Sequence, residues 1–277
     1  TNLKNTNIPM IDLAIVSDEI TLDFPSAVKI ALEWDLRKFE IRSLRTGRIP
    51  KIDPLELLEI EKCVRNCDIK ITAISPGIFK SGVSDEFEIK HQLSEDLPRA
   101  IEVAQALGTD RVIIFGFQRE SGDTSLLRSK VIDYLSRAAE LAHDSGVTLL
   151  LENEPGFWAD SGTNTFDLLN EVSSDSLRAN WDPCNAFGLE EEPFPAGYEK
   201  IKPYISGVHA KDTRLGSLTA CVPIGEGLVD WNGQIQALVR DGIVDHITVE
   251  THCLPLIDNS RLNVNTLRRL INLYQTV

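Results

Sequence analysis

The stretch VTLLLENE, residues 147–154, runs from an apolar segment directly into two glutamates. An uninterrupted apolar run of this length is typical of a strand buried on both faces, as in parallel sheets. The segment before it, residues 125–146, spaces its apolar residues on one helical face and stops at Gly146. A helix followed by a buried strand predicts an α/β protein with a parallel sheet.

The same strand-and-helix unit recurs along the whole chain. One helix is opened by Asp53 and Pro54 as its cap and first-turn residue, another ends near Gly108, and the last covers residues 261–274. The predicted strands cover residues 10–17, 38–44, 69–75, 110–117, 147–154, 177–182, 205–212 and 246–252. Eight such units predict a single closed (β/α)8 TIM barrel domain over residues 1–277, with the active site at the C-terminal ends of the strands.

An open, doubly wound sheet is the competing fold. It would be favoured by a glycine-rich turn after the first strand, where a dinucleotide phosphate binds. The segment VSDEITLDFP, residues 16–25, contains no glycine. The sequence therefore favours the barrel.

The charge of the chain restricts its partners. The net charge is −14 and the pI about 4.8, which disfavours nucleic acid and anionic membrane surfaces. We expect a small-molecule partner, and the sequence leaves open whether the chain forms a homo-oligomer. The N-terminal residues lack a signal-peptide or membrane-span pattern, and the five cysteines are expected to be reduced thiols, including Cys63 and Cys67. These features predict a cytoplasmic protein.

The last four predicted strands each end in a residue that can bind a metal ion: Glu152, Asp182, His209 and Glu250. Neighbouring strands in a barrel lie about 5 Å apart, so four consecutive strand ends can converge. Three inward carboxylates would repel one another without a cation. We therefore predict one divalent metal ion at this site, with Mn²⁺, Mg²⁺, Co²⁺ and Zn²⁺ all compatible with the ligands.

Residues two apart in a strand share a face, which adds further candidates. Glu154, Lys211 and His252 follow Glu152, His209 and Glu250 in this way. We predict that these three side chains bind substrate, and Glu154 could instead act as a second base. The structural alternatives are a solvated loop lysine paired with Asp212 for Lys211, and a supporting partner behind the site or a loop charge for Glu154. On the second strand, Glu40 and Arg42 also share a face, and a structural ion pair beneath the site is favoured over contact with substrate. Trp158 and Phe187 follow the fifth and sixth strands and either stack on a sugar ring or cover the barrel.

Five segments resemble the xylose isomerase-like barrels, also described as the sugar phosphate isomerase/epimerase family: LLLENEPG, NWDPCNAF, GVHAKD, ITVETH and PIGEGLVDW. The similarity follows the strand order along the whole chain and is most specific from Glu152 to Glu250. It implies a (β/α)8 fold with a divalent metal held by Glu152, Asp182, His209 and Glu250.

The resemblance also implies a reaction. In the epimerases of the family, the two metal-bound glutamates remove and return a proton beside a carbonyl through an enediolate, and here these are Glu152 and Glu250. The expected activity is that of an isomerase or epimerase of a sugar or sugar-related polyol ketone. Asn185 stands where some ketose epimerases carry a histidine, and we place it among the substrate-binding candidates. Some ketose epimerases also carry an arginine a few residues after the metal-binding histidine. Arg214 lies near that position, but its register relative to His209 is not fixed by the sequence.

Three other functions compete with this expectation. A dehydratase or lyase of the same family, acting on an inosose, a dehydroshikimate or a keto-glycoside, would use the same metal. A DNA-repair endonuclease with a similar barrel needs more histidines than the five in this chain. A barrel that only binds a ligand is disfavoured by the intact four-residue set. The sequence contains no nucleophile elbow, P-loop or HExxH motif.

Overall fold

The computed structural model describes residues 10–122, 124–214 and 220–275. Within these ranges, eight parallel strands close into a barrel, which confirms the predicted (β/α)8 TIM barrel. The barrel strands are β1 (Asp12–Val16), β2 (Lys38–Ile41), β5 (Lys70–Ile78), β6 (Arg111–Phe115), β7 (Thr148–Glu152), β8 (Leu177–Trp181), β9 (Ile205–Ala210) and β12 (His246–Val249). They pair in chain order, and β12 closes the barrel against β1.

Two short hairpins extend the loops beyond the barrel strands. The first joins β3 (Ser43–Leu44) to β4 (Gly47–Arg48), directly after β2. The second joins β10 (Asp212–Thr213) to β11 (Cys221–Val222), after β9. Both follow the C-terminal ends of barrel strands, the end at which barrel enzymes place their active sites.

Nine α-helices of the described residues surround the barrel. They are α1 (Phe24–Glu33), α2 (Pro54–Asn66), α3 (Glu86–His91), α4 (Leu97–Ala106), α5 (Ser125–Asp144), α6 (Gly162–Val172), α7 (Tyr198–Ile201), α8 (Trp231–Asp241) and α9 (Leu256–Gln275). The predicted cap at Asp53 is confirmed, because its carboxylate accepts a hydrogen bond from the Leu55 amide at 2.7 Å. The helix predicted after the third strand is divided, because a π-helical turn at Gln92–Asp96 separates α3 from α4.

The alternation of side chains along β7 explains why the apolar run of residues 147–151 ends in a glutamate. Leu149 and Leu151 belong to the large core between the strands and the helices. Leu150 instead belongs to a small cluster inside the barrel, together with Ile113 and Phe115 of β6. Glu152 lies two residues after Leu150 and therefore on the same interior face. The strand carries this carboxylate into the mouth of the barrel.

No helix among residues 10–122, 124–214 and 220–275 is long and apolar enough to cross a membrane. The five cysteines are free, and the Sγ atoms of Cys63 and Cys67 lie 3.7 Å apart. The predictions for the extreme N-terminus fall on residues 1–9, which lie outside the described residues.

Candidate active site

Four side chains meet at the C-terminal end of the barrel, one from each of β7, β8, β9 and β12. Glu152 ends β7, Asp182 follows β8, His209 lies in β9 and Glu250 follows β12. One ligand atom from each lies within 4.8 Å of those of the other three, and all four residues are buried. The convergence expected from the strand ends is therefore present. We call these residues the quartet.

The turn after β8 orients the Asp182 carboxylate. Its Oδ1 accepts hydrogen bonds from the amides of Cys184 at 2.9 Å and Asn185 at 3.0 Å. Asn153 ties this turn to the end of β7, because its side chain accepts from the Asp182 amide and donates to the Asp182 carbonyl, both at 2.8 Å. These contacts leave Oδ2 of Asp182 for the centre of the quartet.

His209 lies between Glu40 on one side and two carboxylates of the quartet on the other. Its Nε2 lies 2.7 Å from Oε2 of Glu40, and its Nδ1 lies 3.3 Å from Oε1 of Glu152 and 3.5 Å from Oε2 of Glu250. The short contact with Glu40 favours the proton on Nε2, so the Nδ1 lone pair faces the quartet when the ring is neutral. A second carboxylate that orients a metal-binding histidine is a recurrent feature of metal sites.

The predicted ion pair between Glu40 and Arg42 is wrong. Glu40 pairs with His209, whereas Arg42 reaches Asp18 at 3.0 Å, Glu19 at 2.8 Å and Glu250 at 2.5 Å. The physical reason is that each residue meets a closer partner of opposite charge, His209 across the barrel for Glu40 and the carboxylates that follow β1 and β12 for Arg42.

Lys211 lies inside the site, as the alternation along β9 predicted. Its Nζ is 2.7 Å from Oδ2 of Asp182 and 2.6 Å from Oε2 of Glu250, and the side chain is fully buried. The alternative pair with Asp212 is wrong, because the Asp212 carboxylate accepts from backbone amides, including that of Val229 at 3.0 Å.

His252 lies at the rim of the site beyond the end of β12. Its Nε2 is 3.1 Å from Oε1 of Glu19 and 3.2 Å from Oε1 of Glu250. Its side chain is 30% exposed, whereas those of the quartet are almost completely buried. His252 is therefore more accessible to solvent than the quartet residue Glu250 that it contacts.

Neighbouring cations keep two carboxylates of the quartet ionised. Burial raises the pKa of Glu152, but the charges of His209 and Lys211 outweigh burial and hold the pKa below its ordinary value. The same opposition acts on Glu250, where Lys211, His252 and His209 outweigh burial and hold the pKa well below its usual range.

Burial dominates at two other carboxylates. It raises the pKa of Asp182 despite the nearby Lys211, and it raises the pKa of Glu40 despite the nearby His209. In these two groups the cost of burying the charge outweighs the favourable contacts. An additional cation at the quartet would lower that cost for Asp182.

The neighbouring carboxylates raise the pKa values of the two histidines at the site. Burial lowers the pKa of His209, but Glu40, Glu152 and Glu250 outweigh it and raise the pKa well above 6.5. In His252, the Glu250 charge and the hydrogen bond to Glu19 outweigh burial and raise the pKa to about 10. Without another cation, these protonated groups balance the carboxylates.

The chemistry of the quartet fits a divalent metal ion. Three carboxylates and an imidazole are donors that Mn²⁺, Mg²⁺, Co²⁺ and Zn²⁺ accept. The buried Oδ2 of Asp182 is 2.7 Å from Nζ of Lys211, so this carboxylate already faces one cation. Burial still raises its pKa, and a divalent ion at the quartet would help to keep it ionised.

A cavity of about 340 Å³ opens above the quartet. All four predicted substrate-binding residues line it. Its lining consists of Asp18, Arg42, Ser43, Arg48, Ser75, Lys80, Phe115, Glu152, Glu154, Asn185, Lys211, Glu250 and His252. Its volume lies at the lower end of the range for small-molecule sites. The lining is mostly polar or charged, which suits a ligand rich in hydroxyl groups.

Two of the predicted substrate contacts are held by protein partners. Asn185 donates from Nδ2 to the Asn153 carbonyl at 2.9 Å, and its buried Oδ1 has no hydrogen-bond partner among the described residues. Glu154 pairs with Lys80 at 2.9 Å, and the Lys80 ammonium lies 3.9 Å from the centre of the Phe115 ring.

Two aromatic candidates do not line the cavity. Trp158 is buried, and Cζ of Arg119 lies 4.6 Å from the centre of the Trp158 ring. Phe187 packs against the core. Both pack with the large core, and Phe115 is the aromatic side chain of the cavity lining instead.

Sequence reasoning did not select several lining residues. Arg48 lies in a two-residue strand, and Ser75 and Lys80 lie in and after β5. Arg48 and Lys80 had no periodic or motif signal in the sequence. Ser75 ends the predicted third strand two residues after Ala73 of the barrel interior, so counting alternate residues would have identified it. Phe115 lies on the interior face of β6, and counting alternate residues from Ile113 would have identified it.

The sequence from residue 28 to residue 270 matches the family model described as the xylose isomerase-like TIM barrel. Comparison with functionally curated proteins gives no match.

Several solved structures share the fold. A D-tagatose 3-epimerase-like protein superposes with a TM-score of 0.80 at 18% identity, covering 96% of this chain and 99% of that chain. The probable 3-DHS dehydratase AsbF of Bacillus anthracis, involved in petrobactin synthesis, gives 0.76 at 19% identity over 93% and 99%. The zinc-containing IOLI protein gives 0.77 at 17% identity over 96% and 99%. At these identities the similarity establishes the fold.

Proposed function

Because the chain belongs to the xylose isomerase-like TIM barrel family, we propose that it is a divalent-metal-dependent isomerase or epimerase of a sugar or a sugar-related polyol ketone. The observation that carries this proposal is the buried quartet, whose ligand atoms lie within 4.8 Å of one another beneath a polar cavity. A closely packed set of carboxylates is costly to bury without a cation and is typical of a functional site.

In this proposal Glu152, Asp182, His209 and Glu250 hold the ion. A bound divalent ion supplies Lewis acidity, which polarises a carbonyl oxygen and stabilises the negative charge of an enediolate. Zinc in the IOLI structure supports a divalent ion, and the donor set of this chain accepts Mn²⁺, Mg²⁺ and Co²⁺ as well.

Glu152 and Glu250 are the proposed proton-transfer groups. Their lowered pKa values mean that both are ionised near neutral pH, as a general base must be. They belong to β7 and β12, which are separated by β8 and β9 in the barrel. This separation supports a mechanism in which one carboxylate removes a proton from one side of the substrate and the other returns a proton from the opposite side.

The remaining polar groups of the cavity are the proposed substrate contacts. Lys211 presents a buried ammonium beside the quartet and can donate hydrogen bonds to substrate oxygens. Asn185, Glu154 and His252 line the same cavity and suit substrate hydroxyl groups. The unpartnered Oδ1 of Asn185 is an acceptor for one such hydroxyl.

A dehydratase or lyase reaction is the second candidate. The Lys211 ammonium, 2.6 Å from Oε2 of Glu250, is the observation that favours it, because elimination needs a proton donor as well as a base. One carboxylate would remove the C–H proton, the electron pair would form a C=C bond, and the departing hydroxyl would leave as water after accepting a proton. The AsbF dehydratase shares the fold, which supports this alternative.

Incubation in D2O separates the two reactions. The manganese-loaded protein is incubated with a panel of ketoses, ketose phosphates, keto-acids derived from sugars and keto-inositols, and products are analysed by mass spectrometry and NMR. An isomerase incorporates one deuterium into a product of otherwise unchanged mass, whereas a dehydratase gives a product lighter by one water. If no member of the panel gives either product, both candidate functions are contradicted. Glu152→Gln serves as the inactive control.

We also propose that the protein acts on a small molecule and is located in the cytoplasm. The net charge of −14 supports a small carbohydrate-like substrate over nucleic acid. The five free cysteines support a cytoplasmic location, where thiols stay reduced. A homo-oligomer is compatible with the fold, and the elution volume in size-exclusion chromatography with light scattering tests it.

A further inference from the structure

Arg48 differs from the other cations that line the cavity. Arg42, Lys80 and Lys211 each face at least one carboxylate at 3.2 Å or less. Arg48 instead donates only to Ser75, from Nε to the carbonyl at 2.9 Å and from Nη2 to Oγ at 3.0 Å. Within residues 10–122, 124–214 and 220–275, no carboxylate forms an ion pair with it, and Nη1 has no hydrogen-bond acceptor.

The protein nevertheless holds the Arg48 side chain in place. Arg48 lies in β4, opposite Ser43 in the hairpin, and its guanidinium packs against Gly77. A Cβ atom at Gly77 would lie 3.0 Å from Nε and 3.1 Å from Cζ of Arg48, so the guanidinium would have to shift by a few tenths of an ångström. The φ of +80° at Gly77 also favours glycine, so the backbone there suits this close approach.

The environment of Arg48 lacks a compensating charge. Burial and the neighbouring Arg42 cation lower the pKa of the Arg48 guanidinium, and the more distant carboxylates Glu152 and Asp18 only partly offset them. Partly buried arginines are normally paired, because removing a cation from water without a partner is costly. A partner supplied by a ligand would complete the site.

We propose that Arg48 binds an anionic group of the substrate, a carboxylate or a phosphate, and that the substrate is therefore an anionic polyol ketone rather than a neutral ketose. The planar guanidinium can donate two parallel hydrogen bonds to either group. The Ser43 hydroxyl lines the same part of the cavity and offers a further donor. This inference rests on the proposed function, because it assigns the substrate class of the same cavity.

The charge of the cavity agrees with this assignment. Four carboxylates line it (Asp18, Glu152, Glu154 and Glu250), together with four cations (Arg42, Arg48, Lys80 and Lys211) and His252. The lining carboxylates and cations are equal in number, and a divalent ion at the quartet would add positive charge beside them, although the chain as a whole carries −14. Local charge in a cleft, rather than net charge, governs the attraction of a small ligand.

Three probes with the same carbon skeleton test the proposal by isothermal titration calorimetry on the full manganese-loaded chain. These are D-glucitol, which is neutral, D-gluconate, which carries a carboxylate, and D-glucitol 6-phosphate. We expect at least one anionic probe to bind about tenfold or more tightly than glucitol, as charge-assisted hydrogen bonds allow. The tighter of the two anions identifies the group. Equal affinities for all three probes would overturn the proposal.

Arg48→Gln assigns the preference to this residue. The variant is expected to bind the anionic probes no more tightly than it binds glucitol. Arg65→Gln, at an exposed arginine on α2, is the control for the loss of one positive charge. If Arg48→Gln still prefers the anionic probes, the metal ion or Lys80 binds the anionic group instead. That result overturns the assignment to Arg48. If Arg48→Gln does not fold, the wild-type comparison still decides whether the cavity selects an anion.

The inference and the proposed function fail in different ways. Isomerisation of neutral ketoses without an anion preference would overturn the inference and leave the proposed function in place. An anion preference that depends on Arg48, without turnover of any ketone in D2O, would support the inference and contradict the proposed function.

Discussion

The Oε2 atom of Glu40 lies 2.7 Å from Nε2 of His209, although 169 residues separate them in the chain. The two side chains come from β2 and β9, which are not neighbours in the barrel. This contact fixes the orientation of the imidazole and directs Nδ1 toward Glu152 and Glu250. Glu40 therefore acts on the quartet through His209 and is a positioning residue.

Glu40→Gln is expected to lower the affinity for a divalent metal by about 10- to 100-fold, because it removes the charge that holds the His209 ring. Isothermal titration with Mn²⁺ measures this. Glu56→Gln removes another buried carboxylate, one that pairs with Arg45, and is expected to change the affinity by no more than about twofold. Equal effects of the two variants would contradict the role of Glu40.

Lys211→Gln is expected to destabilise the metal-free protein by about 3 kcal/mol, because it leaves Asp182 and Glu250 without their buried cation. Saturating Mn²⁺ should recover a large part of this loss, since the metal neutralises the same carboxylates. Urea unfolding with and without metal measures both quantities. An equal loss under the two conditions would show that Lys211 and the metal do not share these partners.

Glu152→Gln and Glu250→Gln are each expected to reduce kcat by about 10²- to 10⁴-fold on the ketone identified in D2O, since each removes a proton-transfer group. KM is expected to change much less. Glu59→Gln, at an exposed glutamate on α2, should retain wild-type kinetics. Steady-state kinetics under metal saturation separate these effects, and near-wild-type kcat in either quartet variant contradicts its assignment.

The sequence predicted the barrel because eight apolar runs alternate with amphipathic segments, and it predicted Lys211 because residues 209 and 211 share a strand face. Neither inference needs long-range information. The Glu40–His209 contact does need it, since it depends on which strands face one another across the barrel. Placing Glu40 with Arg42 used only local alternation, which gives the face of a side chain and not its partner.

The sequence also did not predict the hairpin that carries Arg48. Its strands, β3 and β4, have two residues each, too short for a periodic signal. Its position depends on Glu56 of α2, which accepts hydrogen bonds from the backbone amides of Arg45 and Thr46. The identity of the cavity lining on this side therefore follows from tertiary contacts alone.

Asp241 provides a pH-dependent contribution to stability outside the site. Hydrogen bonds from Arg240 and Tyr198 lower its pKa from 3.8 to about 2. A lowered folded-state pKa stabilises the fold above about pH 4, and this contribution disappears as the pH falls toward 2. We expect about 1 kcal/mol, because Arg240 is largely exposed and its charge is screened.

Urea unfolding of Asp241→Asn tests this contribution. The variant should be less stable than the wild type at pH 7, and the difference should shrink between pH 4 and pH 2. Asp144→Asn, at an exposed aspartate on α5, should change stability by no more than about 0.5 kcal/mol at either pH. A difference that stays constant with pH would contradict the assignment.

The metal content of the purified protein tests the central claim most directly. Inductively coupled plasma mass spectrometry, after dialysis against Mn²⁺ and removal of free ions, should find one ion per folded wild-type chain. Glu152→Gln, Asp182→Asn and His209→Ala should each lose most of it while keeping the wild-type circular dichroism spectrum. Full occupancy in all three folded variants, or no bound metal in the folded wild type, would contradict the quartet as a metal site.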